Sequence, residues 1–296
     1  MKKNKTALAL LSLTLSMVIF GTIGIFVRHI PLPSSVIAFF RGLVGTVFLL
    51  LVIRFSGKQV SIAAVKRNLP KLCVSGAALG LNRILLFEAY RYTTVATATL
   101  CYYLAPIIIM LVSPMILKER LTAKKALCIL SALIGMVFVS GVTQGSLPEA
   151  SELRGILFGL AAACLYATVV LINKRIQGIE ALDRTVVQLG ISAVVLAPYI
   201  LATENLFVLL PQLSLISALL LVFVAIVHTG VAYALYFSSI RDISAQTAAL
   251  FSYIDPVVAI LLSACLLGES MTVSSVIGAV MILGSAIVSE LPEKEK

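Results

Sequence analysis

Apolar residues along this chain come in long runs, and polar residues fill short gaps between them. About 20 residues span a bilayer as a helix. Ten runs of roughly that length lie at 7–27, 33–53, 71–90, 93–115, 123–142, 153–173, 185–202, 213–237, 245–267 and 272–290. Pro31, Pro33, Pro70, Pro148 and Pro211 are read as punctuation in the gaps, where helices end. The connections are short, so no separate soluble domain is expected.

The second half of the pattern repeats the first. Residues 87–139 recur, weakly but without a gap, at 237–289, a shift of 150 positions. Phe87/Phe237, Arg91/Arg241, Tyr103/Tyr253, Pro106/Pro256, Leu117/Leu267, Glu119/Glu269 and Thr122/Thr272 coincide. The expected fold is therefore an all-α membrane protein of ten transmembrane helices in two five-helix repeats, residues 1–145 and 146–296. Five is odd, so the second repeat enters the membrane upside down. Inverted repeats around a central cavity are the architecture of alternating-access transporters.

Composition agrees. The 296 residues are 60% hydrophobic and 12% charged, with mean hydropathy +1.09. A soluble domain carries about 25% charged residues. A net charge of +10 could suggest nucleic acid, but the cations sit where they orient a membrane protein. Of 23 Lys and Arg, eighteen fall in the segments 1–6, 54–71, 116–125, 174–184, 241 and 291–296. Only Arg28, Arg91 and Arg154 fall in the alternate segments, and Arg41 and Arg83 lie within runs. That asymmetry places both termini in the cytoplasm and the chain in the plasma (inner) membrane, multi-pass, with no nucleic-acid partner. The apolar stretch after Met1-Lys2-Lys3 is too long for a signal peptide and is read as a retained first span. The five cysteines lie inside runs without metal-ligand spacing, and buried free thiols are expected. No metal and no cofactor is expected.

The motifs narrow the class. Phe87-x-Ala89-x-x-Tyr92 enters the fourth run, Pro106 lies within it, and Leu117-x-Glu119-x-x-Thr122 follows. The second copy carries Tyr236-Phe237, Arg241, Pro256, Leu267-Gly268-Glu269 and a closing Gly-rich run. With ten runs and a five-plus-five repeat, the whole chain resembles the EamA-like branch of the drug/metabolite transporter superfamily. That family usually has Trp-Gly in the first helix of each half. Here those positions read Phe20-Gly21 and Tyr166-Ala167, and the chain has no Trp. The resemblance implies export or import of amino acids, other small metabolites or toxic compounds.

Polar groups inside a span are expensive, which makes them functional candidates. Arg41 lies about eight residues into the second run, roughly 12 Å deep at 1.5 Å per residue. Arg83 reaches a similar level from the other side, and Tyr102 and Tyr103 lie near that depth in the fourth run. Together with Tyr253, these groups are candidates to bind a carboxylate or phosphate. The alternative for Arg83 is an internal brace to Glu88 or to carbonyls beside Pro106. Asp255 is the only Asp within a run; a carboxylate there is costly, and taking up a proton removes the cost. Asp255, His228 and Glu88 are the candidates for proton coupling. Pro106 and Pro256 are expected to kink their helices at equivalent sites. Glu119 and Glu269 are read as structural, beside the N-caps Thr122 and Thr272. Gly76-x-x-x-Gly80 and Gly155-x-x-x-Gly159 mark close helix packing.

The expected function is a secondary transporter of small polar metabolites, amino acids or related organic anions. It would work by alternating access, with protons as a candidate partner beside the small-molecule substrate and membrane lipid. A multidrug-type exporter of lipophilic compounds is the alternative, which the two Arg disfavour. An intramembrane enzyme is less favoured, since no catalytic cluster occurs. No Gly-x-x-x-x-Gly-Lys motif supports ATP drive within this chain.

Overall fold

In lipid every backbone N–H and C=O must be satisfied within the protein, and the helix does this within one segment. The computed structural model describes residues 2–57, 59–93, 98, 101–140, 150–267 and 273–291. Eleven helical segments account for most of them: α1 Lys2–Val27, α2 Ser34–Phe55, α3 Ile62–Tyr92, α4 Ala105–Leu117, α5 Ala123–Ser140, α6 Ala150–Arg175, α7 Ala181–Thr203, α8 Leu215–Ser239, α9 Ala245–Phe251, α10 Ile254–Leu267 and α11 Val273–Glu290. Among the described residues, six are long and apolar enough to cross a membrane: α1, α2, α3, α6, α7 and α8. α4 is a shorter apolar helix, as is the Val276–Ser289 stretch of α11.

Three departures from the sequence reading have local causes. Pro70 lies inside α3 and not in a gap; the helix starts earlier, where the Ser61 hydroxyl caps it by accepting from the Ala64 N–H. α8 widens to a π-helix over Ile226–Val231. Pro106 and Pro256 sit in the first turns of new helices, so each marks a break and not a kink. Leu104 and Ser252–Tyr253 lie at those breaks. Pro148, Gly268, Glu269 and Thr272 lie outside the described residues.

The outer surface confirms what the solvent is. Leu8, Leu11 and Leu15 of α1 are exposed, as are Leu127, Leu130 and Ile134 of α5. Each trio recurs at helical spacing on one face. In water such a stripe would be buried; here it faces outward.

The packing repeats under the 150-residue shift. α3 packs on α6 and α7, and its counterpart α8 packs on α1 and α2. α4 packs on α6, and α10 on α1. The pairs α2–α7 and α5–α11 each join a helix to its own counterpart. Residues 150 apart meet inside the bundle: Arg83 Nη2 donates to the Tyr233 hydroxyl at 2.7 Å, and the Tyr253 hydroxyl donates to the Tyr103 carbonyl at 2.7 Å.

One end of the bundle is tied by cations on backbone carbonyls at helix ends and in the adjoining loops. Arg67 donates to the Gly178 carbonyl, Lys71 to Arg175, Lys174 to Ile243, Arg175 to Ile116 and Lys124 to Leu291. Glu119 plays the complementary part, since its Oε1 accepts from the Ala245 N–H at 2.9 Å, at the start of α9. Thr122 caps α5 through the Lys125 N–H at 3.3 Å. The cysteines depart from expectation: Cys128 is buried, but Cys73, Cys164 and Cys265 are exposed.

The Gly76-x-x-x-Gly80 motif sits where α3 crosses α7. A Cβ added at Gly80 would lie 2.9 Å from the Ser192 carbonyl oxygen, and one at Gly76 would lie 2.8 Å from Ile191 Cβ. Backbone cannot give way cheaply, so Gly80→Leu should destabilise the bundle by about 1–3 kcal/mol, the usual cost of overpacking. A melting curve of the purified protein in detergent should fall by several degrees; an unchanged midpoint would refute the close crossing.

Candidate functional site

A cavity of about 130 Å³ lies among α1, α2, α3, α6, α8 and the two helix breaks. α1 contributes Met17, Phe20 and Ile23 to its wall, and the cations Arg41 and Arg83 come from α2 and α3. Tyr102, Tyr103, Ala105 and Pro106 come from the first break, Ser252 and Asp255 from the second, and Tyr166 and Tyr233 from α6 and α8. The space suits several waters or a small solute. Leu13, Ile109, Tyr236, Phe237 and Ile240 are under 2% exposed and fill the core toward the end that carries the N-terminus of α1.

The first break exists because Pro106 has no N–H to give. The Ile107 N–H turns to the Leu104 carbonyl at 3.0 Å, three residues back. The Tyr103 carbonyl is thereby left to the Tyr253 hydroxyl. At the second break Asp255 stands in the first turn of α10, where a helix end favours negative charge. Its carboxyl shares the cavity wall with Tyr103, Arg41 and Arg83. α1 reaches this point because residue 21 is Gly: a Cβ there would lie 2.7 Å from the Asp255 carbonyl oxygen.

The two Arg are held differently. Arg41 uses Nε on the Thr229 hydroxyl at 2.9 Å and Nη2 on the His228 carbonyl at 3.3 Å, both in the π-helix. A π turn displaces backbone bonding locally and is often found at functional sites. Arg83 holds the Tyr233 hydroxyl. Arg41, Arg83 and Tyr233 also line a neighbouring cavity of about 30 Å³, beside Ser192 and Thr229. Five aromatic rings also face it: Phe20 meets Tyr233 edge-on at 5.2 Å, Tyr103 lies beside Tyr102, and Tyr102 lies 5.7 Å from Tyr166, which donates to the Tyr236 hydroxyl at 2.8 Å.

Six of the sequence candidates thus converge on one space: Arg41, Arg83, Tyr102, Tyr103, Asp255 and Pro106. Four stand apart from its wall. Tyr253 is fully buried behind it, and Pro256 is buried within α10. His228 turns its Nε2 to the Thr22 hydroxyl at 2.8 Å and packs against Phe26 and Phe223. Glu88 accepts from the Tyr199 hydroxyl at 2.5 Å and from Arg91 at 3.1 Å. Of the alternatives for Arg83, the brace to Glu88 is not formed; Arg83 bonds Tyr233. Sequence reading missed Phe20, Tyr166 and Tyr233. Phe20 and Tyr166 occupy the two positions at which the Trp-Gly pattern departs, and Tyr233 is the counterpart of Arg83 once the repeat is extended four residues upstream. Among the described residues, no cluster of three His, Cys, Asp or Glu could hold a metal.

Comparison with known proteins gives the family. The EamA-like transporter family matches the chain twice, at residues 7–141 and 153–290. An uncharacterized transporter of Bacillus subtilis, YxxF, is 30% identical over 93% of this chain and 86% of its own. An uncharacterized transporter of Archaeoglobus fulgidus is 27% identical over 94% of both chains. Protein PecM of Dickeya dadantii is 26% identical over 77% of both. One solved crystal structure superimposes with a TM-score of 0.82 over 96% of each chain at 19% identity, a likeness of fold. A multi-pass helical bundle with apolar outer faces and a central polar cavity, matched over both halves, identifies the chain as a membrane transporter of the EamA-like family.

Proposed function

We propose that this chain is a secondary transporter of small polar metabolites that carry a carboxylate, amino acids or related organic anions. One observation carries the reading: Arg83, Arg41 and Asp255 share a small aromatic cavity at the meeting point of two broken helices. Paired interruptions in corresponding halves point to a transporter's binding site. Arg83 offers a planar fork to the carboxylate, Arg41 adds charge while bracing the π-helix, and Asp255 receives an ammonium group or a proton. Tyr102, Tyr166 and Phe20 surround the rest of the substrate.

The proposed membrane arrangement is ten crossings in two inverted five-helix repeats, residues 1–145 and 146–296. The two family matches and the repeated packing support it. α9 with α10 forms one crossing, and the apolar run 93–115 that holds α4 is another. Both termini lie in the cytoplasm of a plasma-membrane protein, since the cation-rich end is the cytoplasmic one. The substrate, lipid and protons are the partners of this reading.

Three experiments test it. A Cys placed at Gln212 should react with an impermeant reagent on intact cells, and a Cys at Gln59 should not; the opposite pattern would invert the orientation. Arg83→Lys loses a bidentate contact worth about 1.5–3 kcal/mol. Half-saturation for a transported amino acid or organic acid should therefore rise about tenfold to a hundredfold, and unchanged saturation would make Arg83 a brace. Asp255→Asn cannot release a proton. It should still exchange substrate across vesicles, while accumulation driven by a pH gradient disappears. Accumulation that survives in Asp255→Asn would remove Asp255 as carrier.

A further inference from the structure

Tyr233 brings a hydroxyl to the cavity beside Arg83. It follows the π-helix of α8 by two positions. Its ring is fixed between Phe20, edge-on at 5.2 Å, and Phe237, stacked at 5.4 Å. Phe at this position would keep both ring contacts, so packing does not account for the hydroxyl. The hydroxyl oxygen accepts from Arg83 Nη2 at 2.7 Å. A phenol also has one proton to give, and among the described residues no acceptor takes it.

A buried donor left without an acceptor costs free energy. Accepting from a guanidinium polarises the O–H and makes it a stronger donor. Arg83 spends one of its five N–H donors on Tyr233, and among the described residues it makes no other hydrogen bond. Tyr233 and Arg83 border both the larger and the smaller cavity. The pair therefore presents a phenolic O–H and several N–H groups side by side, with donors left over and no acceptor between them. Its complement is an anion with two acceptor oxygens close together.

Arg83 and Tyr233 are 150 positions apart, each the other's counterpart. Two counterparts touch only where the axis relating the halves passes between them. Exchanging the roles of the halves turns one face of an inverted repeat into the other, and a pair at the axis keeps its place through the exchange. Asp255 differs, since its counterpart is Ala105 and its carboxyl belongs to one half alone. Arg83 with Tyr233 is thus the part of the wall that cavities open to either side have in common.

We propose that Tyr233 is a substrate-binding residue: its hydroxyl donates to the carboxylate that Arg83 pairs, at the centre of the bundle and in both faces of the cycle. The inference rests on the carboxylate reading and on the inverted repeat proposed above.

The test uses the full-length protein in vesicles and a panel of labelled amino acids and mono- and dicarboxylic acids. The compound taken up fastest is the probe throughout. Tyr233→Phe should raise its half-saturation about tenfold to a hundredfold, the worth of a hydrogen bond to a charged group. The rise should appear in right-side-out and in inside-out vesicles alike. A residue that only held the Arg83 fork in place would give the same rise, so Arg83→Lys supplies the second background. Its ammonium is a point charge with no fork to orient. Adding Tyr233→Phe to Arg83→Lys should weaken half-saturation roughly tenfold again; no further loss there makes Tyr233 a brace for Arg83 and overturns the proposal. Unchanged half-saturation in Tyr233→Phe overturns it too, as does a rise confined to one side. A fluorotyrosine at position 233, with fluorine next to the hydroxyl, keeps ring and hydroxyl and replaces Tyr233→Phe if that variant does not fold. Its hydroxyl is a better donor and a poorer acceptor, so half-saturation should fall, and a rise overturns the proposal. Arg83→Lys without effect, or no uptake of any compound in the panel, overturns the carboxylate reading and this proposal together. A loss in Arg83→Lys with none in Tyr233→Phe overturns this proposal alone. The inverted arrangement is tested separately, by the labelling at Gln59 and Gln212.

Discussion

Backbone hydrogen bonding in a lipid solvent is the constraint from which the site follows. Irregular backbone is tolerated at membrane depth only where protein groups or a polar cavity satisfy it. Pro106 removes a donor in mid-bundle, and the Ile107 N–H tightens onto Leu104. The Tyr253 hydroxyl answers the carbonyl left over. Asp255 and Ser252 occupy the equivalent place in the other half, facing the cavity. Polar backbone, a helix start and a carboxyl are thus gathered where a polar solute can use them.

Charge is organised by the same solvent. Cations at one end lie on carbonyls at or just beyond helix ends, where they bond the helices to one another. Inside the bundle a cation needs compensation, and Arg41 and Arg83 obtain it from hydroxyls and a carbonyl. Arg184 shows a purely structural solution. It is buried, donates to the Asn173 and Phe237 carbonyls, and lies 5.8 Å over the Phe237 ring. A buried Arg is therefore not a site by itself. Arg41 and Arg83 are distinguished because they also face open space shared with a carboxyl.

Sequence alone determined the class and the places of the long apolar helices, because lipid demands about 20 apolar residues per crossing, and duplication leaves its period in the chain. The predicted ends of most helices fall within a few residues of those observed, as at 33–53 against Ser34–Phe55. α3 runs longer because nothing in apolar pattern reveals a helix that continues beyond the bilayer through Pro70. Depth along each run was also legible, which placed Arg41, Arg83, Tyr102, Tyr103 and Asp255 near one level.

Tertiary structure alone decided which way each side chain turns. A run apolar on every face carries no stripe to say what points inward, so nothing in it said that Tyr253 would stand behind the cavity wall, that His228 would turn to Thr22, or that Glu88 would pair with Tyr199 and Arg91 near the end of α3. Tyr233 and Phe20 entered it because α1 and α8 pack together there. The shift of 150 residues was written in the sequence. That counterparts would touch, Arg83 on Tyr233 and Tyr253 on Tyr103, depended on the two halves folding around a common centre, and that contact exists only once the helices are packed.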